Sequence, residues 1–182
     1  MKKTKRKAAK SEPIKLDLSY GPVVQPEFIR KPLHSLVDKS VAEIYSSFLF
    51  NRIPGALRPQ FMDECWRVLV PGGKLTILVP YWSSCRAVQD YGHAWPPVVE
   101  QSFLYFNRQW RIDQKQQAPE PAVVEWDALE GHDYQIKADF DFTFGYLFDP
   151  ETAARAEDVR SSWIKHYVNS VTDLQVTLTK KG

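Results

Sequence analysis

The stretch Glu64-Cys65-Trp66-Arg67-Val68-Leu69-Val70-Pro71-Gly72-Gly73-Lys74-Leu75-Thr76-Ile77-Leu78-Val79-Pro80 reads as an amphipathic helix joined to an apolar strand through a Pro-Gly-Gly turn. Phe61, Cys65, Val68 and Leu69 recur at helical spacing while Asp63, Glu64 and Arg67 lie on other faces, so one stripe can pack on a sheet. Pro71 stops the helix, and the two glycines are expected to supply the positive backbone angles of a tight reversal. Leu75 to Val79 reads as a short run buried on both faces of a parallel sheet. A helix-turn-strand unit of this kind predicts an α/β domain.

Upstream, Ile14 to Gly21 (IKLDLSYG) alternates apolar and polar residues and ends in glycine, as a strand entering a turn does. Ser40 to Phe50 (SVAEIYSSFLF) reads as a second apolar strand, running into a loop from Asn51 to Pro59 that leads to the helix. Between Gly21 and Val41 stand Pro22, Pro26 and Pro32, with neither an apolar strand nor a helical stripe. A βαβ unit takes about 30 residues, so none fits there.

Downstream of the strand comes a loop rich in aromatics and proline: Pro80-Tyr81-Trp82-Ser83-Ser84, Arg86, Asp90-Tyr91-Gly92-His93 and Trp95-Pro96-Pro97. Phe103, Phe106 and Trp110 recur at helical or turn spacing and predict a core or lid; the alternative is base stacking beside Arg108 and Arg111. Residues 111–133 turn to glutamine, proline and charge and read as a flexible excursion. Phe140, Phe142, Phe144, Tyr146 and Phe148 then alternate as a strand with one buried face. Asp149-Pro150-Glu151 opens a helix whose expected packing stripe is Ala156, Val159, Trp163 and Tyr167, and Leu174, Val176 and Leu178 mark a final strand.

The 182 residues, 43% hydrophobic and 13% aromatic, suit one domain over residues 13–182 with a substantial core. Two cysteines, Cys65 and Cys85, make no disulfide framework, so a reducing intracellular compartment such as the cytoplasm is expected. No run of about 18 apolar residues marks a membrane span. The net charge of +2 hides an asymmetry, because 6 of the 24 basic residues (Lys2, Lys3, Lys5, Arg6, Lys7 and Lys10) crowd the first ten positions without an acid. Residues 1–12 therefore read as a basic arm, either simply solvated or a contact for nucleic acid or an acidic protein.

The Arg67–Pro80 unit, with the strands on either side of it, resembles the helix, turn and fifth strand of class I S-adenosylmethionine-dependent methyltransferases. The resemblance covers Ile14–Gly21 and Val37–Lys180. It implies a Rossmann-like methyltransferase sheet flanked by helices, lacking one or two strands near its N-terminus, with the last strand antiparallel. It also implies S-adenosylmethionine as methyl donor. The family pattern near LDLGCG matches Leu16-Asp17-Leu18-Ser19-Tyr20-Gly21, where Ser19 replaces the first glycine and Tyr20 a small residue. By matching position, Asp17, Ser19 and Gly21 are cofactor-contact candidates, joined by Ser46, Ser47 and Phe48 at the end of the next strand. The acid that should bond the ribose hydroxyls has no match; Glu27 and Asp38 are the only acids in reach, and Asp38 belongs to the lead into the following strand.

Ligands of open α/β sheets bind outside the carboxyl ends of the strands, which makes the loop after Pro80 the candidate acceptor site. There Tyr81 and His93 are candidates to orient an acceptor or take its proton, with Asp90 orienting the histidine. Asp90, His93 and Glu100 lack metal-ligand spacing and a second histidine, so no metal is expected. Three function classes follow. The chain is a compact methyltransferase with a rebuilt pocket and an unidentified acceptor, completed in one version by a second copy or a partner that extends the sheet. Alternatively it is a non-catalytic relative, a binding or structural subunit of a nucleic-acid-containing assembly, or, as a third class, an aromatic-loop nucleic-acid binder that needs no cofactor.

Overall fold

The computed structural model describes residues 13–21, 27–117 and 136–182. The basic arm and most of the expected excursion lie outside the described residues. Strand β1 is Ile14–Asp17, β2 Val41–Ser47, β3 Leu69–Pro80, β4 Phe140–Phe148 and β5 Val171–Lys180. Helix α1 is Arg58–Val68, α2 Arg108–Gln117, α3 Pro150–Ala153 and α4 Glu157–His166.

Among the described residues the strands form one sheet in the order β1-β2-β3-β5-β4. β1, β2 and β3 run parallel, whereas β5 runs antiparallel to both β3 and β4. This is the mixed sheet the resemblance implies, with its last strand reversed. Beyond β1, among the described residues, the sheet is continued by the isolated parallel bridge Leu16–Ile29 alone. Asp17 N–H donates to the Ile29 carbonyl (2.8 Å) and Ile29 N–H to the Lys15 carbonyl (2.9 Å), so a one-residue remnant, Ile29, stands where a second strand would run.

Strand alternation decides where the core sits. Leu16, Ile44, Leu75, Ile77, Leu174, Val176 and Leu178 are buried, together with Met62, Cys65 and Val68 of α1 and Phe103 and Phe106 of the 3-10 segment Glu100–Phe106. The intervening residues differ: Lys74 is exposed, and Thr76 and Leu78 are only half-buried. The run Leu75–Val79 is therefore not buried on both faces, as its hydrophobicity suggested. Parallel strands normally have helices on both sides. Here the polar residues that alternate along β3 and β5 line the second face.

The turn also differs from its sequence reading. α1 ends at Val68, and Pro71-Gly72-Gly73 falls inside β3, where the register with β2 jumps from Val41–Leu69 to Glu43–Lys74. Only Gly72 has a positive φ, +75°; Gly73 serves close packing instead. Lys180 closes this corner, its Nζ donating to the carbonyls of Trp66 (2.6 Å) and Leu69 (2.8 Å) and lying 4.3 Å from the Trp66 ring centroid. It thereby satisfies carbonyls that the end of α1 leaves open, and burial pushes its ammonium pKa down.

Two further readings are corrected. Arg108–Gln117 is a helix, so the excursion cannot begin at Arg111. Asp149 caps the next helix as expected, its carboxylate accepting from Glu151 N–H and Thr152 N–H, but the helix breaks into α3 and α4. Ala156 and Tyr167 are exposed, and Ile164 is the residue of α4 that packs on the core.

Candidate functional site

The carboxyl ends of β1, β2 and β3 lie side by side, and the loops leaving them form the site. After β1 the chain turns on itself at once. Asp17, buried at the strand end, accepts from Ser19 N–H at 2.7 Å. The Ser19 hydroxyl accepts from Ser47 N–H at 3.0 Å, and Tyr20 N–H donates to the Ser47 carbonyl at 2.8 Å. The serine in place of the family's first glycine thus stitches the β1 loop to the end of β2. Gly21 adopts φ +105°, which only glycine tolerates without strain.

Arg30 follows Ile29 out of the strand remnant. Its guanidinium donates to the Gly21 carbonyl at 2.6 Å and lies 3.4 Å from both the Ser19 carbonyl and the Asp17 carboxylate. A cation therefore occupies the end of the second-strand position, where the resemblance would place an acid. Of the two acids the sequence offered, Asp38 is bound to Arg67 of α1 at 2.6 Å.

Of the other candidates, Ser46 is fully buried on β2 with its hydroxyl unpartnered. Phe48 has φ +54°, donates its N–H to the Leu78 carbonyl, and lies under Arg86, whose guanidinium is 5.3 Å from the ring centroid. Arg86 is held in turn by Asp173 at 2.7 Å. Arg52 stacks on Tyr20 at 3.9 Å and pairs with Asp90 at 2.5 Å, linking the β1 loop to the loop after β3.

The structure brings Asp90 and His93 together. The Asp90 carboxylate accepts from Gly92 N–H and faces His93 Nε2 at 3.7 Å, while Nδ1 lies 3.1 Å from the Ala87 carbonyl. Tyr81 belongs to a different cluster. Its hydroxyl donates to Glu100 at 3.2 Å, and Tyr146 donates to the same carboxylate oxygen. Burial pushes both phenol pKa values up, so the two tyrosines are donors at neutral pH. Among the described residues no group of three or more histidine, cysteine or acidic side chains could hold a metal ion, and no helix is long and apolar enough to cross a membrane.

Gly92 N–H and Arg52 hold the Asp90 carboxyl below its ordinary 3.8. A depressed carboxyl contributes stability at neutral pH that is lost as pH falls through its folded-state value. Melting midpoints of the parent and Asp90→Asn should therefore differ by a constant amount at neutral pH. That gap should close as pH falls below 3.8. A gap that widens in acid would contradict the pairing.

Arg30 and Arg52 were not legible as site residues, and Arg86 was legible only as part of the candidate acceptor loop. Neither Arg30 nor Arg52 sits in a motif, and only the fold carries them to the strand ends.

No protein-family profile matches the sequence, and no curated protein matches it. Solved structures do. A SAM-dependent methyltransferase from Archaeoglobus fulgidus aligns over 85% of this chain and 67% of its own, with 12% identity and a TM-score of 0.51. An S-adenosylmethionine-dependent methyltransferase from Mesorhizobium loti aligns over 88% and 72%, with 13% identity and a TM-score of 0.39. Phosphoethanolamine N-methyltransferase 2 of Haemonchus contortus, solved with S-adenosyl-L-methionine, aligns over 84% of this chain but only 36% of its own, with 13% identity and a TM-score of 0.36. The first of these likenesses, with the sheet order, shows that the chain has the class I methyltransferase fold.

Proposed function

We propose that this chain is a non-catalytic methyltransferase-fold protein, a binding subunit whose nucleoside cleft is closed by its own side chains. The observation that carries the reading is Arg30, which donates to the Gly21 carbonyl and faces Asp17 and the Ser19 carbonyl. In the family the first loop offers its backbone to the cofactor. Here Ser19 N–H is taken by Asp17, Ser47 N–H by the Ser19 hydroxyl, and Tyr20 N–H by the Ser47 carbonyl. A ligand would have to break these bonds, and each charge-assisted one contributes about 1.5–3 kcal/mol. It would also meet a guanidinium where ribose hydroxyls need an acceptor.

Titration calorimetry tests the reading with S-adenosylmethionine and S-adenosylhomocysteine. The expected result is no saturable heat up to millimolar ligand. Saturable micromolar binding of either would contradict it and favour the methyltransferase with a rebuilt pocket.

A further inference from the structure

The loops at the carboxyl ends of β1 and β3 carry large aromatic side chains that stay half or more exposed to solvent. Tyr91 is 106% exposed, Trp95 80%, Tyr20 58% and Trp82 50%. An isolated exposed ring is ordinary, but four gathered along one rim of the sheet mark an interaction surface.

Arginines link the β1 loop to the 89–97 part of the loop after β3. Arg30 is bonded to the loop that carries Tyr20; Arg52 stacks on Tyr20 and pairs with Asp90, the neighbour of Tyr91. The Trp95 carbonyl accepts from Gly55 N–H, and Arg58 donates to the Ala94 carbonyl, so the 89–97 loop is seated on the segment that leads into α1. Arg86 lies over Phe48 on the β3 side, with its side chain 45% exposed. Asp17, Asp90 and Asp173 each fix one corner of a guanidinium, and a guanidinium has five N–H donors to share.

Planar rings left open to solvent beside anchored guanidinium groups match the chemistry of unpaired bases on a phosphate backbone. Any base offers a π-face to a ring, and arginine serves the phosphates. A duplex keeps its bases stacked inside and cannot use such rings. We propose that this rim binds single-stranded nucleic acid, bases stacking on Tyr20, Trp82, Tyr91 and Trp95 while Arg30 and Arg86 hold phosphates. The proposal rests on the binding-subunit reading above and names a ligand class for the same end of the sheet.

Fluorescence anisotropy tests it on the full chain with a fluorescein-labelled oligothymidylate of about 20 nucleotides, at about 50 mM salt and above. Saturable binding that weakens as salt rises is expected. The double substitution Tyr91→Ala with Trp95→Ala should weaken it by about tenfold or more. Because both rings are exposed, the melting temperature should not change. Absence of binding by the parent would overturn the proposal. So would equal binding by the double variant, which would assign the affinity to the basic arm. Equal competition by polyglutamate of matched charge would also overturn it, because the surface would then be reading charge alone. Heat from S-adenosylmethionine together with intact anisotropy would defeat the binding-subunit reading only; silence in both experiments would defeat this inference only.

Discussion

Gly73→Val is expected to leave the chain unfolded or aggregated. A Cβ at this position would meet the Val70 carbonyl oxygen at 2.8 Å, the Ala42 carbonyl oxygen at 3.0 Å and Leu69 Cδ2 at 3.1 Å. Two of these are backbone atoms at the point where the β2–β3 register jumps, so they cannot yield without breaking the ladder at the centre of the sheet. Valine adds two methyl groups to that clash. A cost above about 4 kcal/mol is expected, a large share of the roughly 5–15 kcal/mol that holds a typical domain. Gly72 is the control. It has φ +75° but nothing within 4 Å of an added Cβ, so Gly72→Ala should cost only about 1–2 kcal/mol of backbone strain. Circular dichroism melts distinguish the two. A Gly73→Val protein melting within a few degrees of the parent would contradict the packing of this corner.

Phe103→Ala should be the most damaging single truncation in the core. The ring is fully buried, stacked on Phe50 with centroids 5.5 Å apart and tilted against Phe142 at 6.4 Å. It pins the Glu100–Phe106 segment to the sheet, together with Phe106. Loss of a buried phenylalanine costs about 3–5 kcal/mol, transfer and cavity together. Urea denaturation should show a lower midpoint with an unchanged slope, which separates lost stability from a changed unfolded state. A loss below about 1 kcal/mol would mean that the segment packs elsewhere.

The back half of the sheet is legible in the sequence because each strand there carries its own pattern. Phe140 to Phe148 alternate over nine residues, and Leu174 to Leu178 do the same, so period and length suffice to mark β4 and β5. Asp149-Pro150 signals a helix start through capping chemistry that is local. The turn after α1 is legible as to place and not as to mechanism: which glycine takes the positive φ depends on the Val70 and Ala42 carbonyls, which lie in two different strands. The more polar second face of the sheet was signalled by Lys74 and Thr76, whose polarity the apolar run around them obscured.

The site was less legible than the fold. Asp90 and His93 are three residues apart, and the turn at Gly92 brings them together, a proximity that sequence spacing can express. Arg30 is thirteen positions from Asp17, and their contact depends on one bridged residue, Ile29, too short to carry a strand pattern. The same holds for Arg86 and Asp173, 87 positions apart, which meet only because β5 pairs with β3. The double role of Ser19, both donor through its amide and acceptor through its hydroxyl, turns an apparent defect in a glycine-rich loop into a strut.

The most direct measurement is a crystal structure of the full chain grown with millimolar S-adenosylmethionine. The closed-cleft account predicts the Arg30 guanidinium against the Gly21 carbonyl, the Ser19 hydroxyl bonded to Ser47 N–H, and no nucleoside at the strand ends. Cofactor density in the cleft, with Arg30 swung away from the β1 loop, would contradict it.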